Sequence, residues 1–198
     1  MPGFESPDIA DGTTQTGSPV GWTGSGDIKL SDYSTVQWSN KYAPGETVPD
    51  GNQVFTLIDG QIEQLFSTDI QADTTYTIIM DVGCFIDTGV SRVKAKLIGS
   101  SVLGDQVVFE FTAAEHGTTS NTASTLIQGK WATQKVSWDS SHWMRAVEDQ
   151  LKIEIVGNDV DIDNIRLCIG RCVQDIDNDC DMDFWDLAML VSKWLDGT

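Results

Sequence analysis

Short runs of alternating apolar and polar residues follow one another from residue 54 to residue 167. The clearest runs are residues 54–58, 74–82, 91–98, 106–113, 150–156 and 159–167. In the run 91–98, three basic residues alternate with Val93, Ala95 and Leu97. This period of two is typical of strands with one wet face, and Gly, Asp and Asn clusters separate the runs as turns do. Because no helical pattern lies between the runs, the sequence predicts an antiparallel β-sandwich or barrel.

The pattern changes at both ends of the chain. The first 50 residues are rich in Gly, Ser, Thr and Pro but include Trp22, Tyr33 and Tyr42, so they predict ordered loops and short strands rather than a disordered leader. After Ile169 and Gly170 the sequence turns strongly acidic and then predicts an amphipathic helix, DFWDLAMLVSKWL. We therefore predict two units, residues 1–169 and 170–198.

Composition narrows the classes of function. Among 198 residues, 12 are basic and 30 acidic, a formal net charge of −18 that argues against nucleic-acid binding and docking on anionic lipid. No apolar stretch is long enough to span a membrane, and the first residues lack the features of a signal peptide, so any export signal is expected to have been removed. Four cysteines favour two disulfides in an extracellular or cell-surface protein over free thiols or a zinc site.

Six aspartates near the C-terminus have the spacing of a calcium-binding loop. They occupy positions 1, 3, 5, 7, 9 and 12 of DIDNDCDMDFWD and are Asp175, Asp177, Asp179, Asp181, Asp183 and Asp186. Calcium is bound by six to eight oxygen atoms, and a tight loop leading into a helix can supply them from these positions. A solvated acidic linker is the alternative, but it would not place every aspartate in register before a helix. We predict Ca2+ as the cofactor.

The segment CVQDIDNDCDMDFWDLAMLVSKWL resembles one repeat of a type I dockerin. That resemblance implies metal ligation by all six aspartates, Asp181 through its carbonyl and Asp183 through water. Position 6 of the loop is normally glycine, and this chain departs from that pattern with Cys180, which the resemblance implies is disulfide-bonded to Cys172 just upstream. The chain has one repeat instead of two, and Phe184 and Trp185 replace small hydroxyl residues, so cohesin is not expected as a partner.

The larger unit is similar to galactose-binding-like jelly rolls, which include many carbohydrate-binding modules. The resemblance rests on GFESP, IEQLFSTDIQADTTYTIIMDVG and VDIDNIRL and spans about residues 3–169. It implies a jelly-roll β-sandwich with a structural calcium bound by Glu5 and Asp163, although a surface role for Glu5 and a turn-capping role for Asp163 remain the alternative. If Cys172 pairs with Cys180, Cys84 is left for Cys168, and two other connectivities stay open.

Candidate ligand-binding and catalytic residues are few. Sugars stack on aromatic rings, and Trp22, Trp38 and Trp143 are the candidates because they lie in Gly/Ser-rich or polar segments, with core packing as the alternative. The chain has no GxSxG, phosphate-loop or HExxH motif, and paired carboxylates mean little in so acidic a sequence. The sequence therefore predicts a protein without catalytic activity.

Two non-catalytic functions compete. One is a structural or adhesive subunit that assembles head to tail into an extracellular filament or matrix, with calcium offsetting the self-repulsion of the −18 charge. The other is a carbohydrate-binding module of a polysaccharide-utilisation system. We predict the structural subunit first and the glycan-binding module second.

Overall fold

The described part of the chain forms nine antiparallel β-strands. The computed structural model describes residues 8–34, 41–86, 91–114, 117–118, 125–142 and 149–170. The strands are β1 Thr14–Thr16, β2 Thr23–Asp32, β3 Gln53–Asp69, β4 Thr75–Cys84, β5 Arg92–Ser101, β6 Gly104–Ala114, β7 Gly117–Thr118, β8 Trp131–Asp139 and β9 Gln150–Ile169. The helical structure in the described part of the chain is one short 3-10 turn, Ser140–His142. The predicted mainly β, antiparallel fold is confirmed.

Strand β9 organises the sheet. Along one edge it pairs with β3, and along the other it pairs first with β5 and then with β4. Strands β2 and β1 extend the sheet beyond β3, β6 and β7 extend it beyond β5, and β8 pairs with β4. Up to Ile162, β9 has a neighbour on both edges that can satisfy its backbone polar groups, so this part of the strand is suited to hold buried polar side chains.

The core lies on one face of these strands. Its fully buried members include Phe55, Ile62, Met80 and Ile153. Along β9 the side chains facing the core are Leu151, Ile153, Ile155, Val160 and Ile162. The step from 155 to 160 breaks the alternation of two, so the parity of the inward residues changes within the strand.

A left-handed residue lies within this step. Asp159 has φ of 52°, and the β3–β9 ladder passes from the pair Leu57–Val160 to the pair Asp59–Asn158 in the same register. We predicted two strands, 150–156 and 159–167, with a turn at Gly157–Asn158–Asp159. That division was wrong, because β9 runs unbroken from Gln150 to Ile169 and β3 pairs with it on both sides of Asp159. The run 54–58 was likewise too short for β3.

The predicted C-terminal unit, residues 170–198, lies outside the described residues apart from Gly170. Its calcium loop and amphipathic helix therefore stay predictions. Within the described ranges, no helix is long and apolar enough to cross a membrane.

Candidate active site

The carboxylate of Asp161 is one of several fully buried polar groups in the described part of the chain. It lies in β9 opposite Thr56 of β3 and Gly83 of β4, and none of its surface is exposed. Oδ2 accepts hydrogen bonds from the phenols of Tyr33 and Tyr42, the latter at 2.6 Å, and Oδ1 accepts from Thr56 Oγ1 at 2.6 Å. Three donors thus compensate for the loss of water around a buried carboxylate.

Local structure places each donor. Thr56 is fixed by the β3–β9 register, and its Oγ1 also lies 2.8 Å from Ser31 Oγ on β2. Tyr42 lies between two backbone hydrogen bonds, in which Ala43 N donates to Gly129 O and Ile86 N donates to Lys41 O, both at 2.8 Å. Tyr33 directly follows β2 and donates its amide to Asn52 O at 2.7 Å.

Gly83 makes room for this arrangement. A Cβ at position 83 would lie 2.2 Å from Tyr42 Oη and 2.9 Å from Trp131 Cζ2, far inside van der Waals contact. Because Gly83 pairs directly with Asp161, any side chain there would occupy the space of the Tyr42 phenol. The need for glycine at this position is therefore steric.

Aromatic rings surround the carboxylate. Tyr42 stacks on Trp131 with centroids 5.3 Å apart, and its ring meets those of Tyr33 and Phe85 edge-on at 6.0 and 6.1 Å. Lys41 Nζ lies 4.2 Å from the Phe85 ring centroid, within the range of a cation–π contact. Trp131 Nε1 is buried and has no hydrogen-bond partner among the residues that the structure describes, which leaves an indole N–H donor beside Tyr42. We call Tyr33, Lys41, Tyr42, Thr56 and Asp161 the Asp161 cluster.

Burial sets the protonation of this cluster. It raises the pKa of Asp161, an effect that the Lys41 charge and the three hydroxyl donors oppose. Burial and the Asp161 charge raise the pKa values of Tyr33 and Tyr42 well above their usual range, so both phenols stay protonated. Burial lowers the pKa of Lys41, opposed by Asp161. The cluster can therefore hold and pass a proton between oxygen atoms that share one buried carboxyl.

A cavity of about 320 Å3 lies on two of the strands that carry the cluster. Its lining residues are Asp59, Arg92, Lys94, Lys96, Val156, Gly157 and Asn158. Asn158 is three positions before Asp161 on β9, and Asp59 is three positions after Thr56 on β3. The cavity and the Asp161 cluster therefore share β3 and β9, while none of the described lining residues belongs to the cluster.

Asp163, a predicted calcium ligand, lies two residues beyond Asp161. It is fully buried, and its carboxylate accepts backbone hydrogen bonds from Asp50 at 2.9 Å and Asn164 at 2.7 Å. Burial raises its pKa to about 7; the two amide donors oppose this shift, and the like charges of Asp50 and Asp81 add to it. Across the described residues, no group of three or more His, Cys, Asp or Glu side chains is placed to hold a metal ion.

The other predicted site residues are dispersed. Trp22 is partly buried and packs against the core. Trp38, Trp143 and Glu5 lie outside the described residues, as do Cys172, Cys180 and the six aspartates of the calcium loop.

The predicted Cys84–Cys168 disulfide was wrong. Cys84 is a fully buried thiol, whereas Cys168 is disulfide-bonded to a residue outside the described ranges. In the β4–β9 ladder Cys168 pairs with Thr77 and Cys84 pairs with Val160. Seven residues of strand separate Thr77 from Cys84, about 23 Å, while a disulfide requires Cα atoms within about 7 Å. Opposite ends of one ladder cannot be joined.

Sequence reasoning missed Asp161 and the cavity. In VDIDNIRL the residues Val160, Asp161, Ile162 and Asp163 read as ordinary alternation with an exposed polar face. The tyrosine cap that buries Asp161 comes from the segment between β2 and β3, more than 100 positions away. The one available signal was the aromatic content of residues 33–42.

Comparison with known proteins decides the family. A family model described as HpiC1-like, HpiC1 cyclase, matches residues 1–168. The chain belongs to the HpiC1-like family. No curated protein matches the chain.

Solved structures agree with this family in fold. A Stig cyclase, Fisc, from Fischerella sp. TAU, in complex with (3Z)-3-(1-methyl-2-pyrrolidinylidene)-3H-indole, has 17% identity and a TM-score of 0.61, covering 84% of this chain and 93% of that one. A Fischerella sp. TAU cyclase bound to 4-(1H-indol-3-yl)butan-2-one has 16% identity and a TM-score of 0.60 over 84% and 93%. The xylan-binding CBM22-1 domain of Paenibacillus barcinonensis Xyn10C has 12% identity and a TM-score of 0.50 over 83% and 99%. At these identities the likeness shows the fold alone.

Membership in the HpiC1-like family corrects several predictions. It overturns the assignment to dockerin-bearing, galactose-binding-like proteins, since the matching family is a cyclase family and the comparisons give no support for a dockerin or EF-hand. It also overturns the non-catalytic filament subunit, the alternative carbohydrate-binding module, and self-association or glycan as partner. Two of the motifs behind the jelly-roll resemblance, residues 62–83 and 160–167, lie in β3, β4 and β9, so they indicate the sheet and not the ligand.

Proposed function

We propose that the protein is a small-molecule cyclase whose substrate carries an indole or a similar aromatic ring. The carrying observation is a buried, tyrosine-capped carboxylate, Asp161, beside a cavity in a member of the HpiC1-like family. Two structures of similar fold hold indole compounds, which supports the choice of substrate class. The cavity volume of about 320 Å3 suits a ligand of that size.

Ring closure of this kind is an isomerisation driven by proton transfer. A donor protonates the substrate, a carbon nucleophile attacks the resulting cationic centre, and the new ring carbon returns one proton, so the enzyme ends as it began. Tyr33 is the residue placed to deliver the proton, because its side chain is only partly buried while its phenol contacts Asp161. Asp161 stabilises the developing positive charge and, with Tyr42, restores the proton on Tyr33.

Replacing Tyr33 by Phe is expected to lower the rate of ring closure by about 100-fold, the usual contribution of a positioned proton donor. The ring remains, so binding of 4-(1H-indol-3-yl)butan-2-one should change little. The assay incubates linear 3-substituted indoles with enzyme and separates products of unchanged mass by chromatography. Tyr76→Phe is the matched control, because that phenol accepts the Gln71 amide at 2.7 Å, apart from the Asp161 cluster. Equal loss in both variants, or none in Tyr33→Phe, would contradict the assignment.

We also propose that Ca2+ is a structural cofactor at two places. One is at Asp163, where a divalent cation would relieve the repulsion among Asp50, Asp81 and Asp163. Because no three described His, Cys, Asp or Glu side chains are placed to hold a metal ion, the proposal adds Glu5 as a further ligand. The other is the loop of residues 175–186, proposed from the spacing of its aspartates. The proposal keeps the amphipathic helix after this loop, the jelly-roll β-sandwich before it, and the boundary between the two units at residue 169. Bound calcium would supply positive charge and rigidity at these places.

Calcium added to EDTA-treated protein is expected to raise the melting temperature, by the equivalent of about 2.7 kcal/mol at a hundred times the dissociation constant. Titration calorimetry should find two sites. Asp163→Asn should remove one site and the double change Asp177→Asn with Asp179→Asn the other, while Asp69→Asn, an exposed strand-end change, should remove neither. An unchanged melting temperature on adding calcium contradicts the proposal.

Secretion or location at the cell surface remains our proposal for this chain. The disulfide at Cys168 supports it, because disulfides persist in oxidising compartments and are rare in the cytosol.

A further inference from the structure

The cavity over β5 and β9 concentrates positive charge in a strongly acidic chain. Three of the twelve basic residues line it, Arg92, Lys94 and Lys96, in a molecule of net charge −18. Their spacing of two residues along β5 places all three side chains on the same face of the sheet. This face is opposite to the one on which Val93, Ala95 and Leu97 enter the core.

Two of these cations are already paired. Lys94 Nζ lies 3.2 Å from Glu110 on β6, and Lys96 forms an ion pair with Glu154 on β9. Arg92 differs, because its guanidinium has no ion pair or hydrogen bond with any described residue. The carboxylate of Asp59, on the opposite wall, also lacks a partner within the described ranges. One cavity therefore contains one unpaired cation and one unpaired anion.

The sheet register keeps these two charges apart. Asn158 of β9 pairs with Arg92 of β5 on one side and with Asp59 of β3 on the other. Two strand spacings, about 9.5 Å, therefore separate the backbones of Arg92 and Asp59. Between them lie Val156 and the aliphatic stem of Lys94, which offer apolar surface to a flat ring. A ligand fitting this site has an anionic end, an apolar body and an N–H donor at the far end.

We propose that this cavity binds a small aromatic carboxylate, with the Arg92 guanidinium holding the carboxylate and Asp59 accepting the ligand N–H. The planar guanidinium fork of arginine matches a carboxylate with two parallel hydrogen bonds and stacks on aromatic rings. The inference rests on the proposed function, and it specifies the substrate as an indole carboxylate rather than a neutral indole.

The experiment compares two ligands that differ in one group. Calorimetry measures the binding of 4-(1H-indol-3-yl)butanoate and of the neutral ketone 4-(1H-indol-3-yl)butan-2-one to the full chain. The carboxylate is expected to bind at least about tenfold more tightly, the usual contribution of a charge-assisted hydrogen bond. Arg92→Gln should reduce carboxylate affinity to that of the ketone, and Arg92→Lys should retain part of the preference.

Asp59→Asn should weaken the binding of both indole ligands by the same factor, because both carry the indole N–H. Lys135→Gln removes an exposed positive charge on β8, outside the cavity lining, and should leave the preference intact. Equal wild-type affinity for the two ligands, or carboxylate binding unaffected by Arg92→Gln, overturns the inference.

An indole-free carboxylate, 4-phenylbutanoate, separates this inference from the proposed function. Arg92-dependent binding of 4-phenylbutanoate supports the anion site, whether or not the protein cyclises an indole. A failure to cyclise any indole counts against the proposed cyclase activity and not against the anion site. Cyclisation of neutral indoles that persists in Arg92→Gln, with no Arg92-dependent binding of either carboxylate, overturns the anion site and leaves the cyclase in place.

Discussion

Replacing Asp161 by Ala is expected to lower the free energy of unfolding by about 3–5 kcal/mol, because it leaves three buried donors without an acceptor. The hydroxyls of Tyr33, Tyr42 and Thr56 all point at this one carboxylate. Lys41 would also lose the nearby negative charge that offsets its own burial. Urea denaturation followed by circular dichroism measures the loss, read from the midpoint if the m-value stays constant.

Asp69→Ala is the control for this change. Asp69 is exposed at the end of β3, and its substitution is expected to alter stability by less than about 0.5 kcal/mol. Asp161→Asn should lower the free energy of unfolding by an amount between those of Asp161→Ala and Asp69→Ala. The amide keeps the shape of the side chain and one acceptor oxygen, but its N–H donors face hydroxyls. If Asp161→Ala is as stable as Asp69→Ala, the carboxylate does not hold the cluster together. If either Asp161 variant closes the ring at the wild-type rate, Asp161 has no part in the proposed reaction.

Gly83→Ala is expected to cost about 2–3 kcal/mol of stability through overpacking and to reduce ring closure by displacing Tyr42 from Asp161. The added Cβ would lie 2.2 Å from Tyr42 Oη and 2.9 Å from Trp131 Cζ2, a clash that neither ring can avoid without breaking its stack on the other. Thermal unfolding and the ring-closure assay measure the two effects on the same preparations.

A double-mutant cycle isolates the clash with the phenol. Tyr42→Phe removes Oη, the nearest atom to the added Cβ, so Gly83→Ala should cost less in that background than in the wild type. Tyr42 Cζ would still lie 2.9 Å from the Cβ, so the rescue should be partial. Strict additivity of the two changes would show that Gly83 is needed for something other than the space of the Tyr42 hydroxyl.

Much of the sheet was predictable from local pattern. The runs 74–82, 91–98 and 106–113 correspond to β4, β5 and β6 within a few residues at each end. The continuity of β9 through Asp159 was not predictable, because the choice between a turn and a continuous strand depends on whether a neighbouring strand keeps pairing across it. Likewise, nothing local to Cys84 or Cys168 shows that they lie at opposite ends of one ladder.

Function was harder to predict than fold for a related reason. Two of the motifs that suggested a carbohydrate-binding protein, residues 62–83 and 160–167, are strand and turn sequences of the sheet, and one fold can carry different ligands. The pattern of Arg92, Lys94 and Lys96 was visible as the wet face of a strand, but its meaning depends on which cations are paired. The ion pairs with Glu110 and Glu154 leave Arg92 as the one available to a ligand in this cavity.

The amino-acid sequence by itself determined the antiparallel β class, the position of most strands and which face of each strand enters the core, because alternation along a strand is a local property of the backbone. Only the tertiary structure decided that Asp161 is buried under Tyr33 and Tyr42 and that Arg92 and Asp59 face each other across Asn158. Those relations join residues that are 33 to more than 100 positions apart in the chain, and they depend on the register of β9 with β3, β4 and β5. Register is a property of paired strands, so a site built on it becomes visible only once the strands are paired.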